Sequence, residues 1–86
     1  MKIYLKKLLF KASHRGTKEM DIILGNFAIN KLEEMNNIEL NLFEELLDLP
    51  DPDIYKWITN KSKNKIPKKF KHLINDISRM QTYDYR

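Results

Sequence analysis

Hydrophobic residues recur at helical spacing along most of the chain, and no stretch alternates in the way that half-buried strands do. The pattern predicts five helices, at about residues 2–13, 17–35, 38–48, 52–61 and 67–82. The links between them are short, and the chain has no internal repeat. We therefore predict an all-α, compact five-helix bundle that forms a single domain over residues 1–86, with an ordered core of about 2–82 and a loose C-terminal tail.

The first two helices differ in how widely their apolar residues are spread. The first carries a single apolar stripe, formed by Tyr4, Leu5, Leu8, Leu9 and Ala12. Such a stripe predicts one wall of the core, although a basic amphipathic helix can also lie on a membrane. The second helix is apolar on more than one face, which is typical of a central, buried helix. Gly25 in its middle costs about 1 kcal/mol relative to Ala, so we expect it to allow close contact with another helix.

Residues that favour helix ends separate the predicted helices. Gly16 is suited to a turn with positive φ between the first two helices. Asn36 is expected to cap the third helix, with Glu39 completing a capping box. Asp51 is a good N-cap for the fourth helix, and Pro52 fits its first helical position.

Composition excludes several classes of function. Without cysteine there is no disulfide framework and no thiolate metal site, and His14 and His72 are the only histidines. Two glycines cannot form a glycine-rich phosphate loop or a dinucleotide-binding fingerprint. A chain this short buries only about 60–65% of its unfolded surface, which leaves little material for a deep cleft. We therefore expect a binding protein with no catalytic residue and no metal site.

Charge is distributed in three blocks. Residues 1–18 carry six bases and no acid, residues 19–53 carry ten acids against Lys31, and residues 54–86 carry nine bases against two acids. The opposite blocks either contact a charged partner, face each other within the fold or only keep the surface solvated. The excess of Lys, Asn and Ile is also what the codon bias of an AT-rich genome produces, so a function of the pattern stays open. The lysine run 61–71 has the charge to bind phosphates, but it lacks interleaved aromatic residues beyond Phe70. Nucleic-acid binding is therefore an alternative that the sequence does not favour.

One segment, at the corner between the first two helices, gathers a cation, a glycine and two acids. Its sequence is Arg15-Gly16-Thr17-Lys18-Glu19-Met20-Asp21. The glycine is explained by the turn, and the two acids by the helix dipole, as readily as by a function. From the residues alone, both explanations stay open.

This segment resembles the signature R-G-x-x-E-x-D of the SdhE family, also called the succinate dehydrogenase assembly factor 2 or flavinator family. A second stretch, Leu47-Asp48-Leu49-Pro50-Asp51-Pro52-Asp53-Ile54-Tyr55-Lys56-Trp57-Ile58, is similar to the family segment D-x-D-L-[FY]-x-W-[IL]. The resemblance covers about residues 3–77. With His14, Thr17 and Gly25, the extended motif is most similar to alphaproteobacterial and mitochondrial members.

The resemblance implies a non-catalytic assembly factor that binds the flavoprotein subunit of succinate dehydrogenase, or of fumarate reductase, and promotes covalent attachment of FAD to it. FAD would belong to that partner, and no cofactor is expected to be tightly bound by this chain. The implied partner contacts are Arg15, Gly16, Glu19 and Asp21. His14 and Lys18 are possible additional contacts. Which of the two acids faces the partner stays open.

The resemblance also sets expectations for the state of the protein. It implies a monomer when free, in the bacterial cytoplasm or, in a eukaryote, in the mitochondrial matrix. No apolar run is long enough to cross a bilayer, so no membrane insertion is expected. Some members of the family have been labelled antitoxins, and a regulatory partner of a toxin is therefore the alternative function.

Overall fold

The computed structural model describes residues 2–59 and 65–84, with side chains up to Met80. The helices within these ranges are α1 (Ile3–Ser13), α2 (Lys18–Lys31), α3 (Asn37–Leu47), α4 (Asp51–Ile58) and α5 (Lys71–Asp84). The described residues form no strand, which confirms the predicted all-α, five-helix architecture. The Cα radius of gyration is 12.0 Å, close to the value of about 12 Å expected for a folded chain of this length.

The helix boundaries depart from the predicted ones in small ways. The predicted second helix changes to a 3₁₀ turn at Leu32–Glu34, and a similar turn at Lys68–Phe70 precedes α5. Helix α5 continues to Asp84, two residues beyond the predicted end. The predicted end of the fourth helix at residue 61 and the last two residues of the tail lie outside the described residues.

The core lies where the five helices meet. The largest fully buried side chains are Phe43, Leu8, Leu24, Leu32, Leu46, Ile54, Ile74 and Ile77. Every helix contributes to this set, and no buried side chain is polar or charged among the described residues. Hydrophobic burial that draws on every helix makes the bundle one cooperative unit.

Two predictions about which apolar residues are buried were wrong. Tyr4 is 40% exposed rather than part of the core wall, and its hydroxyl donates a hydrogen bond to Glu44 Oε1 at 2.8 Å. That hydrogen bond is the main reason why the pKa of Tyr4 is raised. Helix α2 is not buried all round, because Ile22 is 53% exposed and Ile29 is 62% exposed. A bundle with so few helices does not surround its second helix, so one face of α2 stays in solvent.

Gly25 lies where α2 crosses α1, as predicted. A Cβ atom at this position would lie 3.0 Å from Ser13 Oγ and 3.5 Å from Ser13 Cα. A separation of 3.0 Å is shorter than most contacts that Cβ atoms make in proteins. Gly25 therefore allows the two helices to pack closely, with the Ser13 hydroxyl as the limiting contact.

This contact predicts that the effect of Gly25→Ala depends on residue 13. In a Ser13→Ala background, Gly25→Ala should raise the free energy of unfolding by up to about 1 kcal/mol, because Ala favours helix more than Gly does. With Ser13 present, the close contact with the hydroxyl should cancel most of that gain. Urea unfolding of the four variants measures the difference; equal effects in both backgrounds would contradict the assigned contact.

Asn36 caps α3 as predicted. Its side chain accepts a hydrogen bond from the backbone N–H of Glu39, and Glu39 Oε1 accepts one from the backbone N–H of Asn36, both at 2.9 Å. These reciprocal bonds form a complete capping box and pair backbone N–H groups that the helix itself leaves unpaired.

Asn36→Ala should therefore lower the free energy of unfolding by about 1 kcal/mol. Asn37→Ala, one residue later and equally exposed, is the matched control and should change it little. Thermal unfolding followed by circular dichroism distinguishes the two variants. If the capping box did not stabilise the fold, the Asn36→Ala and Asn37→Ala variants would have the same melting temperature.

Candidate functional site

The motif segment lies at the corner where α1 ends and α2 begins. Helix α1 ends at Ser13, and Thr17 caps α2 by accepting a hydrogen bond from the Met20 backbone N–H at 3.2 Å. Glu19 and Asp21 both lie in the first turn of α2, where their charges favour the helix dipole. The start of α4 packs beside this corner, and one side chain of α4 makes the main contact with it.

That side chain is Asp51, the first residue of α4. Its Oδ1 accepts a hydrogen bond from Nε of Arg15 at 2.9 Å and forms an ion pair with Nη2 of the same guanidinium, also at 2.9 Å. Its Oδ2 accepts from the backbone N–H of Gly16, also at 2.9 Å. One carboxylate therefore holds both the side chain and the backbone of the corner.

The prediction that Asp51 caps α4 was wrong. Pro50 is the N-cap residue of that helix, and no side chain makes a capping hydrogen bond there. The carboxylate of Asp51 points across to the corner instead, where it pairs with the guanidinium of Arg15 and accepts from the Gly16 backbone N–H. Pro52 is the second residue of α4 rather than the predicted first, and its missing N–H costs nothing there because the first N–H groups of a helix have no partner within it.

Arg15 is held inside the protein by more than Asp51. The exposed fraction of its side chain is 11%, and its guanidinium also donates to the carbonyl oxygens of Lys11 at 3.4 Å and Leu49 at 3.3 Å. Direct contact between Arg15 and a partner stays a prediction. The geometry itself shows an arginine that fixes the end of α1 against the link before α4.

The two acids of the motif have different surroundings. Asp21 is half-buried, and its Oδ1 accepts a hydrogen bond from the backbone N–H of Arg15. Glu19 is exposed, and its Oε2 accepts from the hydroxyl of Tyr55 on α4 at 3.3 Å. Of the two acids, only Glu19 therefore lies in position to meet a partner, while Asp21 stabilises the turn.

Gly16 is exposed, and the prediction of a positive φ for it was wrong. Its φ lies outside the left-handed region, and a Cβ atom would lie at an ordinary contact distance of 3.4 Å from Asp51 Oδ2. The turn therefore does not require glycine. What glycine provides here is an uncovered backbone on the protein surface.

The two additional candidates, His14 and Lys18, are both exposed beside the corner. His14 Nδ1–H donates to the Phe10 carbonyl at 2.9 Å, and the two rings stack with centroids 3.9 Å apart. Lys18 is the first residue of α2 and directly precedes Glu19. The exposed part of the site is thus formed by Gly16, Lys18 and Glu19, with His14 at its margin.

Sequence reasoning missed Asp51 as a member of this site. Its partner Arg15 is 36 positions away, and the acidic block offers ten carboxylates as partners for that guanidinium. The available signal was the similarity of the second stretch, which contains Asp51, to the same family. The two motifs meet in the folded protein, where Asp51 of the second contacts Arg15 and Gly16 of the first.

The charge blocks meet in three ion pairs among the residues that the structure describes. Lys11 pairs with Asp48 at 2.9 Å, Arg15 with Asp51 at 2.9 Å, and Lys69 with Glu45 at 2.7 Å. Each pair joins a basic end of the chain to its acidic middle. The Lys11–Asp48 and Lys69–Glu45 pairs are exposed, and exposed ion pairs stabilise a fold only weakly. Their main effect is to neutralise part of the surface charge.

The other sequence features give no site of comparable order. Lysines 61 and 63 of the basic run lie outside the described residues, and Trp57 packs half-buried with its ring 6.4 Å from that of Phe70.

A groove of about 500 Å³ lies between α2, α3 and α5, and no motif residue lines it. Over the described part of the chain, no three acidic or histidine side chains gather as metal ligands. None of the described helices is long and apolar enough to span a bilayer.

Comparison with known proteins identifies relatives of this chain. Residues 6–81 match the family model described as "Flavinator of succinate dehydrogenase". The mitochondrial succinate dehydrogenase assembly factor 2 of Dictyostelium discoideum is 38% identical over 65 residues, which cover 76% of this chain and 45% of the relative. The protein of the same name from Mycosarcoma maydis is 34% identical over 76 residues, 88% of this chain and 31% of the relative.

A bacterial relative is similar to the same extent. The FAD assembly factor SdhE of Acetobacter pasteurianus is 40% identical over 53 residues, which cover 62% of this chain and 49% of the relative. The matched part of the chain spans half or less of the length of each of these three relatives.

Proposed function

The chain belongs to the family of succinate dehydrogenase flavinators, and from this premise we propose that it binds the flavoprotein subunit of succinate dehydrogenase and promotes covalent attachment of FAD to it. The observation that supports this role is the preformed corner, in which Asp51 fixes Arg15 and Gly16 while Glu19 remains exposed. A related flavoprotein subunit, that of fumarate reductase, is a second possible client.

The internal bonds of the corner explain how so small a surface supports binding. A loop that is already ordered loses little conformational entropy when a partner docks, so more of the contact energy remains as affinity. Both Asp21 and Asp51 are used in holding the turn. The exposed Gly16 lets a partner approach the backbone closely, and Glu19 offers it a charge held in place by Tyr55.

In this proposal the chain supplies binding and no chemistry. The carboxylates of Asp21 and Asp51 are engaged in hydrogen bonds at the corner, which leaves neither as a free general base. The FAD belongs to the flavoprotein, where attachment takes place, and the helper stabilises the conformation in which it occurs. We place the protein, as a monomer when free, in the cytoplasm of a bacterium or the mitochondrial matrix of a eukaryote.

Co-expression with an apo flavoprotein subunit tests the proposal. The subunit is denatured and separated on a gel, and the flavin fluorescence that remains with the polypeptide measures covalent FAD. We expect clearly more covalent flavin with this chain present than with the subunit alone. Parallel assays with the subunits of succinate dehydrogenase and fumarate reductase identify the client, and no gain with either would overturn the proposal.

A further inference from the structure

Exposed apolar side chains are concentrated on one part of the bundle. Among the side chains that the structure describes, six large hydrophobic residues are exposed, and five of them lie on α1 and α2. Four of these form what we call the outer hairpin face: Ile3, Phe10, Ile22 and Ile29. Single exposed apolar residues are ordinary on protein surfaces, but a concentration of them on one face indicates a contact surface.

Helix geometry places the two exposed residues of each helix on one face of that helix. Ile3 and Phe10 are seven residues apart on α1, as are Ile22 and Ile29 on α2, so each pair lies two turns apart on one helix face. The two helices are joined by only four residues and pack where Gly25 meets Ser13. Both pairs are solvent-exposed, with exposed fractions of 53% to 73%.

The outer hairpin face continues directly from the exposed corner. Ile22 follows Lys18 by four residues and Glu19 by three, so it lies on the next turn of the same helix surface. On α1, the Phe10 ring is stacked on His14 beside the corner. A partner that docks on Gly16 and Glu19 therefore reaches this face without crossing any other surface.

Basic side chains border the α1 side of the face, and the acid Glu19 lies at its corner end on α2. Lys2, Lys6, Lys7 and Lys18 are exposed, and none of them forms an ion pair within the described ranges. Residues 1–18 contain no acid. A partner with complementary charges would present apolar side chains with acidic residues at their margin.

A protein partner fits the face better than a bilayer does. A helix that lies on a membrane inserts its main apolar stripe, but the stripe of α1 is used in the core, with Leu8 and Ala12 fully buried. On α2, the polar side chains of Asn26 and Asn30 are exposed beside the isoleucines. Interrupted apolar contact with a polar rim is typical of protein interfaces.

We propose that the outer hairpin face is a second contact area for the flavoprotein subunit, which meets it with an apolar strip bordered by acidic residues. The inference rests on the proposed function and adds to the corner an extended surface along α1 and α2. The two areas have separate roles: the corner supplies a fixed polar contact, and the outer hairpin face supplies apolar area that the corner lacks.

The test measures the affinity of purified variants for the apo flavoprotein subunit of succinate dehydrogenase. The double variant Ile22→Ser and Ile29→Ser should bind about tenfold more weakly than the unmodified chain, because apolar anchors carry much of the affinity of an interface. Ile38→Ser is the matched control, since Ile38 is 74% exposed on α3, away from the hairpin. Its affinity should be unchanged, and circular dichroism should show equal helix content in all three proteins.

A second variant tests the charged margin without changing the apolar residues. Lys6→Glu combined with Lys7→Glu should weaken binding, and added salt should weaken binding of the unmodified chain more than that of this variant. An unmodified chain that does not bind the subunit overturns the proposed function together with this inference. Normal binding by both variants overturns this inference alone.

Two further outcomes would assign the face to another occupant. Binding to phosphatidylglycerol vesicles that the isoleucine substitutions abolish, with subunit binding unchanged, would replace the subunit by an anionic bilayer. A dimer seen by light scattering and abolished by the same substitutions, again with subunit binding unchanged, would replace it by a second copy of the chain.

Discussion

Asp51→Asn should lower the free energy of unfolding by about 3 kcal/mol, the largest loss that we expect from any single polar substitution in this chain. The substitution leaves the guanidinium of Arg15, only 11% exposed, without its counter-charge. It also weakens the acceptor of the Gly16 backbone N–H, which Asp51 Oδ2 holds at 2.9 Å. Urea unfolding followed by Trp57 fluorescence and by circular dichroism measures the change.

Asp53→Asn is the control for this prediction. Asp53 lies in the same first turn of α4 and is exposed, so its loss should cost only the weak interaction with the helix dipole, about 0.5 kcal/mol. The double variant Arg15→Met with Asp51→Leu should be more stable than either single variant, because it removes both charges together. Equal effects of Asp51→Asn and Asp53→Asn would show that the Arg15–Asp51 pair does not stabilise the corner.

The features that the sequence predicted well depend on neighbouring residues. The capping box of Asn36 and Glu39 lies within one helical turn, and the helical spacing of apolar residues that predicted the five helices repeats within a few residues. Local spacing of this kind determines which helix face is buried and where a helix begins. These are also the parts of the fold that the structure confirms.

The features that the sequence did not predict depend on distant parts of the chain. Asp51 has the local features of an N-cap, and only the position of Arg15 in the folded protein draws its carboxylate away from that role. In the same way, the spacing of Ile22 and Ile29 indicates burial, but no other helix covers that side of α2. The candidate site was therefore located by its motif, while the division of roles within it required the structure.

Gly16→Arg should reduce covalent flavinylation to the level of the flavoprotein subunit alone while leaving the fold intact. Gly16 is exposed, its φ is one that other residues adopt, and a Cβ atom would meet Asp51 Oδ2 at an ordinary 3.4 Å. The long side chain would therefore extend into solvent and block a partner's approach to the corner. The assay compares covalent flavin fluorescence after co-expression, with melting temperature and helix content measured on the purified variant.

Two controls separate the loss of docking from a loss of structure. Gly16→Ala should keep its free energy of unfolding within about 1 kcal/mol and retain part of the activity, since a methyl group covers far less of the backbone than an arginine. Asn41→Arg adds the same side chain to the exposed face of α3 and should leave flavinylation unchanged. If Gly16→Arg instead unfolds the bundle, glycine is required by the turn itself. If the variant folds and retains full activity, the corner is not where the flavoprotein binds, and Glu19 loses its proposed role with it.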